Sequence, residues 1–188
     1  MNILSAFVII PLIMMAMLFC INGEKKSLIR TVMSIGGLAL LGVSAYLTIT
    51  YLQLREAGVD DEFVFTNSVI WYESLNIHYS VGVDGVSVAM LLLSSIVVIT
   101  GVFVSYAIET KVKEYFLWFL MLSIGVYGFF ISLDLFTMFL FYEVALIPMY
   151  LLIGLWGSGK KEYSAMKLTL MLMGGSAFLM VGILGVYY

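Results

Sequence analysis

The sequence predicts an all-α membrane protein of six transmembrane helices, with a small extracytoplasmic β-hairpin between helices two and three. Three observations predict this class: the composition, six apolar runs of membrane-spanning length, and the distribution of basic residues between the runs. Of 188 residues, 63% are hydrophobic and only 11% charged, whereas soluble domains carry about 25% charged residues. There are too few polar side chains to cover a water-facing surface, which excludes a soluble enzyme or a disordered chain.

Six runs are long enough to cross a bilayer, whose hydrocarbon core of about 30 Å needs roughly 20 helical residues. No basic residue precedes the first run, which argues against a cleaved signal peptide, so we interpret it as a retained helix. All six are assigned to a single membrane domain, residues 1–188. The predicted helices are residues 2–22, 29–52, 86–108, 115–133, 135–156 and 164–188.

The basic residues predict the orientation of the helices. Eight of the nine flank the first, third and fifth connections, and only Arg55 lies in the second. Because lysine and arginine accumulate in cytoplasmic loops, these three connections are predicted to be cytoplasmic and the N-terminus outside. The eight are Lys25, Lys26, Arg30, Lys111, Lys113, Lys160, Lys161 and Lys167.

The second connection, about residues 54–85, contains the predicted hairpin. Apolar and polar residues alternate without a break over residues 75–83, and this period of two is typical of a half-buried strand. Residues 63–65 are predicted to pair with that strand. We expect the hairpin to lie over the ends of the helices.

Glu143 is the residue that most needs a functional explanation. It is the only acidic or basic residue between Asp134 and Lys160. It follows Asp134 by nine residues, which is about 13.5 Å of helix, and this places it near the middle of the membrane. A charge at that depth costs about 2.5–3.5 kcal/mol on insertion scales and usually has a function.

Two interpretations of Glu143 remain open. It is either a structural acid held by one partner or a proton-transfer site, because burial favours the protonated carboxyl and a nearby lysine favours the ionised form. Lys167 is the only basic candidate inside a span, and it lies near the cytoplasmic edge as an interfacial anchor or as a proton relay. We therefore expect the basic partner of Glu143 on another chain or on further sequence.

The remaining candidates are structural. Pro148 is predicted to break the fifth helix and to free the carbonyl of Val144. Asp84 and Asp134 are predicted to cap the third and fifth helices. We expect no catalytic, cofactor-binding or metal-binding residue in this chain, since the single cysteine and the lone histidine provide no ligand cluster.

Residues 134–157, DLFTMFLFYEVALIPMYLLIGLWG, resemble the fifth-helix signature of the antiporter-like subunits of respiratory complex I. The resemblance is strongest to the subunit M family of NADH–quinone oxidoreductase, the counterpart of mitochondrial NADH dehydrogenase subunit 4. Residues 82–87, GVDGVS, resemble the family's GVDGLS at the start of the third helix, and residues 163–168 resemble its AAxKFF before the sixth. Tyr142 stands where the family usually has tryptophan.

The resemblance implies the N-terminal part of a proton-translocating membrane subunit, in which Glu143 matches the fifth-helix glutamate and Lys167 a lysine at the start of the sixth helix. The complex couples NADH oxidation and quinone reduction to proton pumping in the bacterial cytoplasmic membrane. The subunit carries no redox active site or cofactor of its own. The expected partners are other membrane subunits, the lipid bilayer and protons, without nucleic acid or a directly bound small-molecule substrate.

Two alternatives to this function remain. A subunit of a multi-subunit sodium/proton antiporter shares the fifth-helix pattern. A non-transporting membrane scaffold protein is equally hydrophobic, but it has no reason to keep an acid at position 143. The sequence leaves open which ion moves, proton or sodium.

Overall fold

The structure is a computed structural model that describes residues 3–58, 61–72 and 77–187. It contains six helices whose length and composition suit a membrane span, and a two-stranded antiparallel sheet, which confirms the predicted fold class. A 3-10 turn, Ile3–Ser5, precedes α1, and another, Ser105–Ala107, follows α3. The elements are α1 Ala6–Cys20, α2 Lys26–Glu56, β1 Val64–Tyr72, β2 Ile77–Val83, α3 Gly85–Val104, α4 Val112–Ile131, α5 Leu135–Trp156 and α6 Lys161–Tyr187.

Each predicted span corresponds to one helix, and most helix ends differ from the prediction by no more than about one turn. The largest difference is α2, which begins at Lys26 and continues to Glu56. Most of its additional residues are polar, so a hydropathy pattern identifies only the apolar run between them. The backbone hydrogen bonds of the helix continue beyond that run, because polar side chains at a helix end can reach water without unwinding it.

The strands pair with a shift in register near the start of β1. Val64 pairs with Val83 and Asn67 with Val81, and between them Phe65 adopts a φ of 58°. A register shift of this kind is a β-bulge, which bends the strand and strengthens its twist. Strand β1 is therefore longer than the predicted residues 63–65. The predicted beginning of the second strand, residues 75 and 76, lies outside the described residues.

The hairpin lies against the ends of the helices. The backbone N–H of Leu133 donates a hydrogen bond of 2.9 Å to the carbonyl of Ser80, so β2 is tied to the turn between α4 and α5. Val81 and Val83 are buried in a core that also contains residues of α1 to α4. The start of α5 is thus fixed to the sheet as well as to α4.

Helix α4 is the centre of the bundle. It packs against α1, α3 and α5, while α2 packs against α1 and α3, and α6 packs mainly on α5. In an apolar 18-residue stretch of each span, between 28% and 39% of the positions are buried for the first four spans, against 11% for α5 and 6% for α6. Much of the surface of α5 and α6 is therefore left uncovered by the part of the chain that the structure describes.

At the end opposite the hairpin, basic side chains bind the carbonyl groups at the ends of neighbouring helices. Lys113 Nζ, from α4, donates to the carbonyls of Phe19 and Ile21 at 3.1 and 2.8 Å, where α1 ends. Lys161 Nζ, from α6, donates to the carbonyl of Leu155 near the end of α5 at 2.8 Å. The last carbonyls of a helix lack backbone partners and carry partial negative charge, so a cation there is stabilising.

The same arrangement joins α2 to α3. Arg30 donates to the carbonyls of Tyr106 and Ile108 at 2.8 and 3.1 Å, and Lys26 Nζ donates to that of Glu109 at 2.8 Å. None of α1, α3 and α5 has a basic residue in its own last turn. The first, third and fifth connections therefore lie at one end of the bundle, as alternating membrane crossings require.

We expect Lys113→Met to lower the free energy of unfolding by about 1–2 kcal/mol, because two carbonyls lose a charged donor in a partly exposed place. The measurement is the unfolding midpoint of the purified protein in mixed micelles. Lys160→Met is the control, since the side chain of Lys160 is exposed and makes no hydrogen bond or ion pair within the described residues. Equal midpoints for the two variants would contradict the capping role.

Asp84 determines where α3 begins. Its Oδ1 accepts a hydrogen bond of 2.7 Å from the backbone N–H of Ser87, which satisfies a donor of the first turn. Hydrogen bonds from Ser87 hold the pKa of Asp84 below its ordinary value of 3.8. A carboxylate with a lowered pKa stabilises the fold above its unfolded pKa and loses that contribution as the pH falls through the folded value.

Asp84→Ala is expected to cost about 1 kcal/mol at neutral pH, the typical value of an N-cap. The difference in the free energy of unfolding between the parent protein and the variant should shrink as the pH falls below 3.8. Chemical unfolding measured at several pH values checks both statements. A difference that stays constant down to strongly acidic pH would show that the carboxylate is not the stabilising group.

Candidate functional site

Glu143 lies near the middle of α5, about 12 Å along the helix axis from Leu135. Its side chain is half-buried. Within the described residues its carboxylate makes no hydrogen bond and no ion pair. It is therefore a membrane-depth acid without a partner in this part of the protein.

Helix α5 contacts α4 through a face that does not contain Glu143. Phe141 packs on Gly128, and the methyl group of Ala145 lies 2.8 Å from the point that a Cβ on Gly125 would occupy. At about 100° per residue, Glu143 lies about 160° around the helix from Ala145. Its side chain therefore points away from α4 and away from the centre of the bundle.

The stripe of α5 that contains Glu143 is open. Phe136, Ile147 and Tyr150 lie on the same face, and 38%, 56% and 41% of their surfaces are exposed. Acids inside a membrane normally face protein or a hydrated cavity rather than lipid. This stripe is therefore the surface where another membrane element would have to enclose the carboxyl.

Lys167 does not approach Glu143. Ala165 lies against Gly154, which aligns the antiparallel helices α5 and α6 and places Lys167 about 13.5 Å from the level of Glu143 along the axis. The lysine is exposed, and its Nζ lies 6.0 Å from the centre of the Tyr163 ring. The structure does not bring the two predicted site residues together.

Pro148 does not break α5, and the predicted helix break is wrong. The helix is continuous from Leu135 to Trp156, and Pro148 is buried within it. Proline fixes φ near −65°, which suits an α-helix, and it removes only one donor, the one that would reach the carbonyl of Val144. The proline therefore removes a hydrogen bond one turn from Glu143 without dividing the span.

Asp134 sets the depth of the site by capping α5. Its Oδ2 accepts hydrogen bonds from the backbone N–H and the hydroxyl of Thr137, at 3.0 and 3.2 Å. Together with the hydrogen bond from Leu133 to the hairpin, this cap fixes the first turn of α5. The distance of Glu143 from the hairpin along α5 follows from that anchor.

Sequence reasoning missed a pair of hydroxyl groups at nearly the same depth. Ser95 and Tyr127, both buried, are hydrogen-bonded across α3 and α4 at 3.1 Å. The contacts between α4 and α5 place Tyr127 level with Glu143, but its ring packs on Phe7 of α1. A serine and a tyrosine within two largely apolar helices were the available signal. The apolar contact between α4 and α5 separates this pair from the carboxyl.

No group of three or more His, Cys, Asp or Glu side chains comes together among residues 3–58, 61–72 and 77–187. A cavity of about 320 Å³ between α4, α5 and α6 is lined by apolar side chains and Tyr142. Such a lining offers neither metal ligands nor charged partners.

A family profile described as "NADH:quinone oxidoreductase/Mrp antiporter, TM" matches residues 132–188. The match contains α5 and α6, and therefore Glu143, Pro148 and Lys167. NADH-quinone oxidoreductase subunit M of Rickettsia bellii is 26% identical over 186 residues, which are 98% of this chain and 38% of that protein. The chain resembles subunit M of NADH–quinone oxidoreductase.

The resemblance extends to a relative named chain 4 and to a solved structure. NADH-ubiquinone oxidoreductase chain 4 of Chondrus crispus is 32% identical over 128 residues, 67% of this chain and 26% of that protein. A chain of the membrane-bound sulfane sulfur reductase, an archaeal respiratory membrane complex, has the same fold with a TM-score of 0.73 and 22% identity. That comparison covers 97% of this chain and 36% of the other. The chain thus spans little more than a third of the length of its subunit M relatives.

Proposed function

We propose that this chain contributes α1 to α6 of a proton-translocating membrane subunit of NADH–quinone oxidoreductase. The observation that carries the proposal is Glu143, an unpaired carboxyl near the middle of a membrane helix that belongs to the matched segment. The similarity to subunit M over 98% of the chain supports it. The enzyme activity belongs to the whole complex, whereas this chain supplies a step of proton movement.

The mechanism depends on the charge of a basic partner. With the partner distant, burial favours the protonated carboxyl, and with the partner close, the ionised form is favoured. At an effective dielectric constant near 20, two unit charges about 4 Å apart interact by about 4 kcal/mol. That energy is enough to drive the release and uptake of one proton.

The partner would approach Glu143 along the open stripe of α5, because α4 covers the opposite face. Quinone reduction elsewhere in the complex would alter the charge along the membrane and move the partner's positive charge. Glu143 would then exchange its proton with water in the space between the helices. Lys167, about 13.5 Å nearer the basic end, would relay that proton or anchor α6 at the interface.

The orientation is part of the same proposal. The end that carries eight of the nine basic residues would face the cytoplasm of a bacterial cell, as the positive-inside rule requires. The N-terminus and the hairpin would then lie outside. Cysteine-accessibility labelling from either side of sealed vesicles tests this arrangement, with the exposed Cys20 replaced by serine and one cysteine introduced at Asn67 or at Lys160.

A sodium/proton antiporter subunit is the second candidate, because the matching profile also covers the Mrp antiporters. The same carboxyl could exchange sodium for protons. A non-transporting scaffold is a weaker alternative, since it leaves the cost of an acid at membrane depth unexplained.

The complex assembled with the full-length subunit and reconstituted into sealed vesicles distinguishes the candidates. We expect NADH oxidation with quinone as acceptor to acidify the vesicle interior, with no need for sodium. Acidification that requires sodium, or proton movement driven by a sodium gradient without NADH, would favour the antiporter. Unchanged acidification by a complex assembled without this subunit would favour a scaffold.

A further inference from the structure

Arg30 and Lys26 form a pair of cations at the basic end of α2. They are four residues apart, so their side chains lie on the same face of the helix. Both donate to carbonyls of the chain that follows α3, Arg30 to those of Tyr106 and Ile108 and Lys26 to that of Glu109. Neither forms an ion pair with a carboxylate within the described residues. Two positive charges therefore remain without a negative partner in this part of the protein.

Both cations keep hydrogen-bond donors that the protein does not use. The guanidinium of Arg30 donates through Nη2 alone. Its Nε is buried without a hydrogen-bond partner, and Nη1, which is not buried, makes no hydrogen bond within residues 3–58, 61–72 and 77–187. Lys26 Nζ uses one of its three N–H groups, toward the carbonyl of Glu109. Nη1 and Nζ are therefore both able to donate to an anion outside the protein.

The surface next to this pair, toward the middle of the helices, becomes apolar. Arg30 Cζ lies 5.4 Å from the centre of the Tyr106 ring, and that ring contacts the ring of Phe103 with 5.9 Å between their centres. Ser34, one turn beyond Arg30, shares a hydrogen bond of 2.6 Å with the Tyr106 hydroxyl. Leu38 follows Ser34 by one more turn, and Leu38 and Phe103 are 55% and 52% exposed. Together with Lys26, these residues form an outward-facing surface that we call the α2–α3 seam.

The change from charged to apolar side chains along the seam coincides with the edge of a bilayer. Helix α2 has 31 residues, which is about 46 Å of helix, whereas the hydrocarbon core is about 30 Å thick. The first turns of α2 therefore extend into the headgroup region, where lysine and arginine side chains reach lipid phosphates. Leu38 lies about 12 Å from Arg30 along the axis, at a depth where acyl chains begin.

We propose that the α2–α3 seam binds an anionic phospholipid, whose phosphate accepts hydrogen bonds from Arg30 and Lys26 and whose acyl chain lies on Phe103 and Leu38. The two unpaired positive charges select a headgroup with net negative charge. The exposed apolar side chains beside them select a molecule with a hydrocarbon tail rather than a free phosphate ion. This site does not depend on the proposed function of Glu143. A membrane helix of another subunit with an acidic end is the competing occupant, and the identity of a cross-linked product distinguishes it from a lipid.

The test is photo-cross-linking in the complex that contains the full-length subunit, with Phe103 replaced by p-benzoylphenylalanine. The complex is placed in nanodiscs of phosphatidylcholine with a small fraction of phosphatidylglycerol that carries the same acyl chains. Mass spectrometry of the adducts should show phosphatidylglycerol enriched over its share of the nanodisc by at least about fivefold, the effect of one basic residue on an anionic lipid. The same probe at Ile49, which is exposed in the other half of α2, is the control and should give adducts without enrichment.

Substitutions of the cations test the headgroup contact. Arg30→Gln and Lys26→Gln, each combined with the probe at position 103, should lower the enrichment about fivefold. Lys113→Gln is the matched control, because Lys113 is a cation at the same end that donates to the last carbonyls of α1, and it should leave the enrichment unchanged. High salt should lower the enrichment without any substitution of a cation, because salt screens the attraction of the headgroup. This last arm applies even if a variant fails to assemble.

Three results would overturn the proposal. The first is a set of adducts from position 103 in which the two lipids appear in the proportions of the nanodisc. The second is an adduct with a protein subunit in place of lipid, which would assign the seam to a protein partner. The third is an equal loss of enrichment in Lys113→Gln and Arg30→Gln, which would show a general attraction of the basic end for anionic lipid and no site at the seam.

Discussion

Replacing Glu143 by glutamine is expected to slow proton transfer through this subunit by more than tenfold, equivalent to at least about 1.4 kcal/mol. The amide occupies nearly the same volume but cannot take up or release a proton at neutral pH. It is also less costly than a carboxylate to place in the membrane, so folding and assembly should be retained. The measurement is acidification of vesicles that contain the assembled complex, normalised to the rate of NADH oxidation.

Glu114→Gln is the matched control for this variant. Glu114 lies in the first turn of α4 at the basic end and forms an exposed ion pair with Lys111 at 3.5 Å. Exposed pairs contribute little, so pumping and stability should stay unchanged. Equal pumping by Glu143→Gln and the parent complex would remove Glu143 from the mechanism.

The contact between α4 and α5 should be the part of the bundle most sensitive to a single added methyl group. A Cβ on Gly125 would lie 2.8 Å from the Cβ of Ala145 and 3.0 Å from its Cα, closer than the atoms can approach. The backbone of α5 must therefore move. We expect Gly125→Ala to lower the free energy of unfolding by about 1–3 kcal/mol, the usual cost of overpacking.

Gly42→Ala makes the same chemical change where there is space. No heavy atom lies within 4 Å of a Cβ on Gly42 in α2, so alanine should raise stability by about 0.5–1 kcal/mol through its better helix propensity. The measurement is the unfolding midpoint of the purified protein in mixed micelles. Shifts of the same sign in the two variants would contradict the close contact at Gly125.

The number of helices and the position of Glu143 along α5 could be predicted from the sequence because each depends on local properties. The length of an apolar run directly predicts whether it can form a membrane-spanning helix. The spacing from Asp134 to Glu143 fixes the distance between them along one helix. The direction of Glu143 could not be predicted in this way. Helix α5 is apolar almost all round, so its periodicity does not indicate which face meets a neighbour. Gly125 and Gly128 of α4 determine which face of α5 meets α4, and they do so through tertiary contacts.

The errors in detail have the same origin. Pro148 suggested a break because a proline removes a hydrogen bond, but the helix is continuous through it, since the φ that proline imposes suits an α-helix. The length of β1 was underestimated because a bulge at Phe65 interrupts the alternation that identifies a strand. The lysines and Arg30 indicated an orientation, whereas their bonds to the ends of neighbouring helices depend on which helices are adjacent.

The central claim is that the Glu143 carboxyl gains and loses a proton within the membrane during turnover. Infrared difference spectroscopy on the assembled complex, started by NADH and repeated with ¹³C-labelled glutamate, observes that event directly. We expect a protonated-carboxyl band that changes on NADH addition, shifts with the label and disappears in Glu143→Gln. A spectrum identical in the parent complex and in Glu143→Gln would contradict the claim.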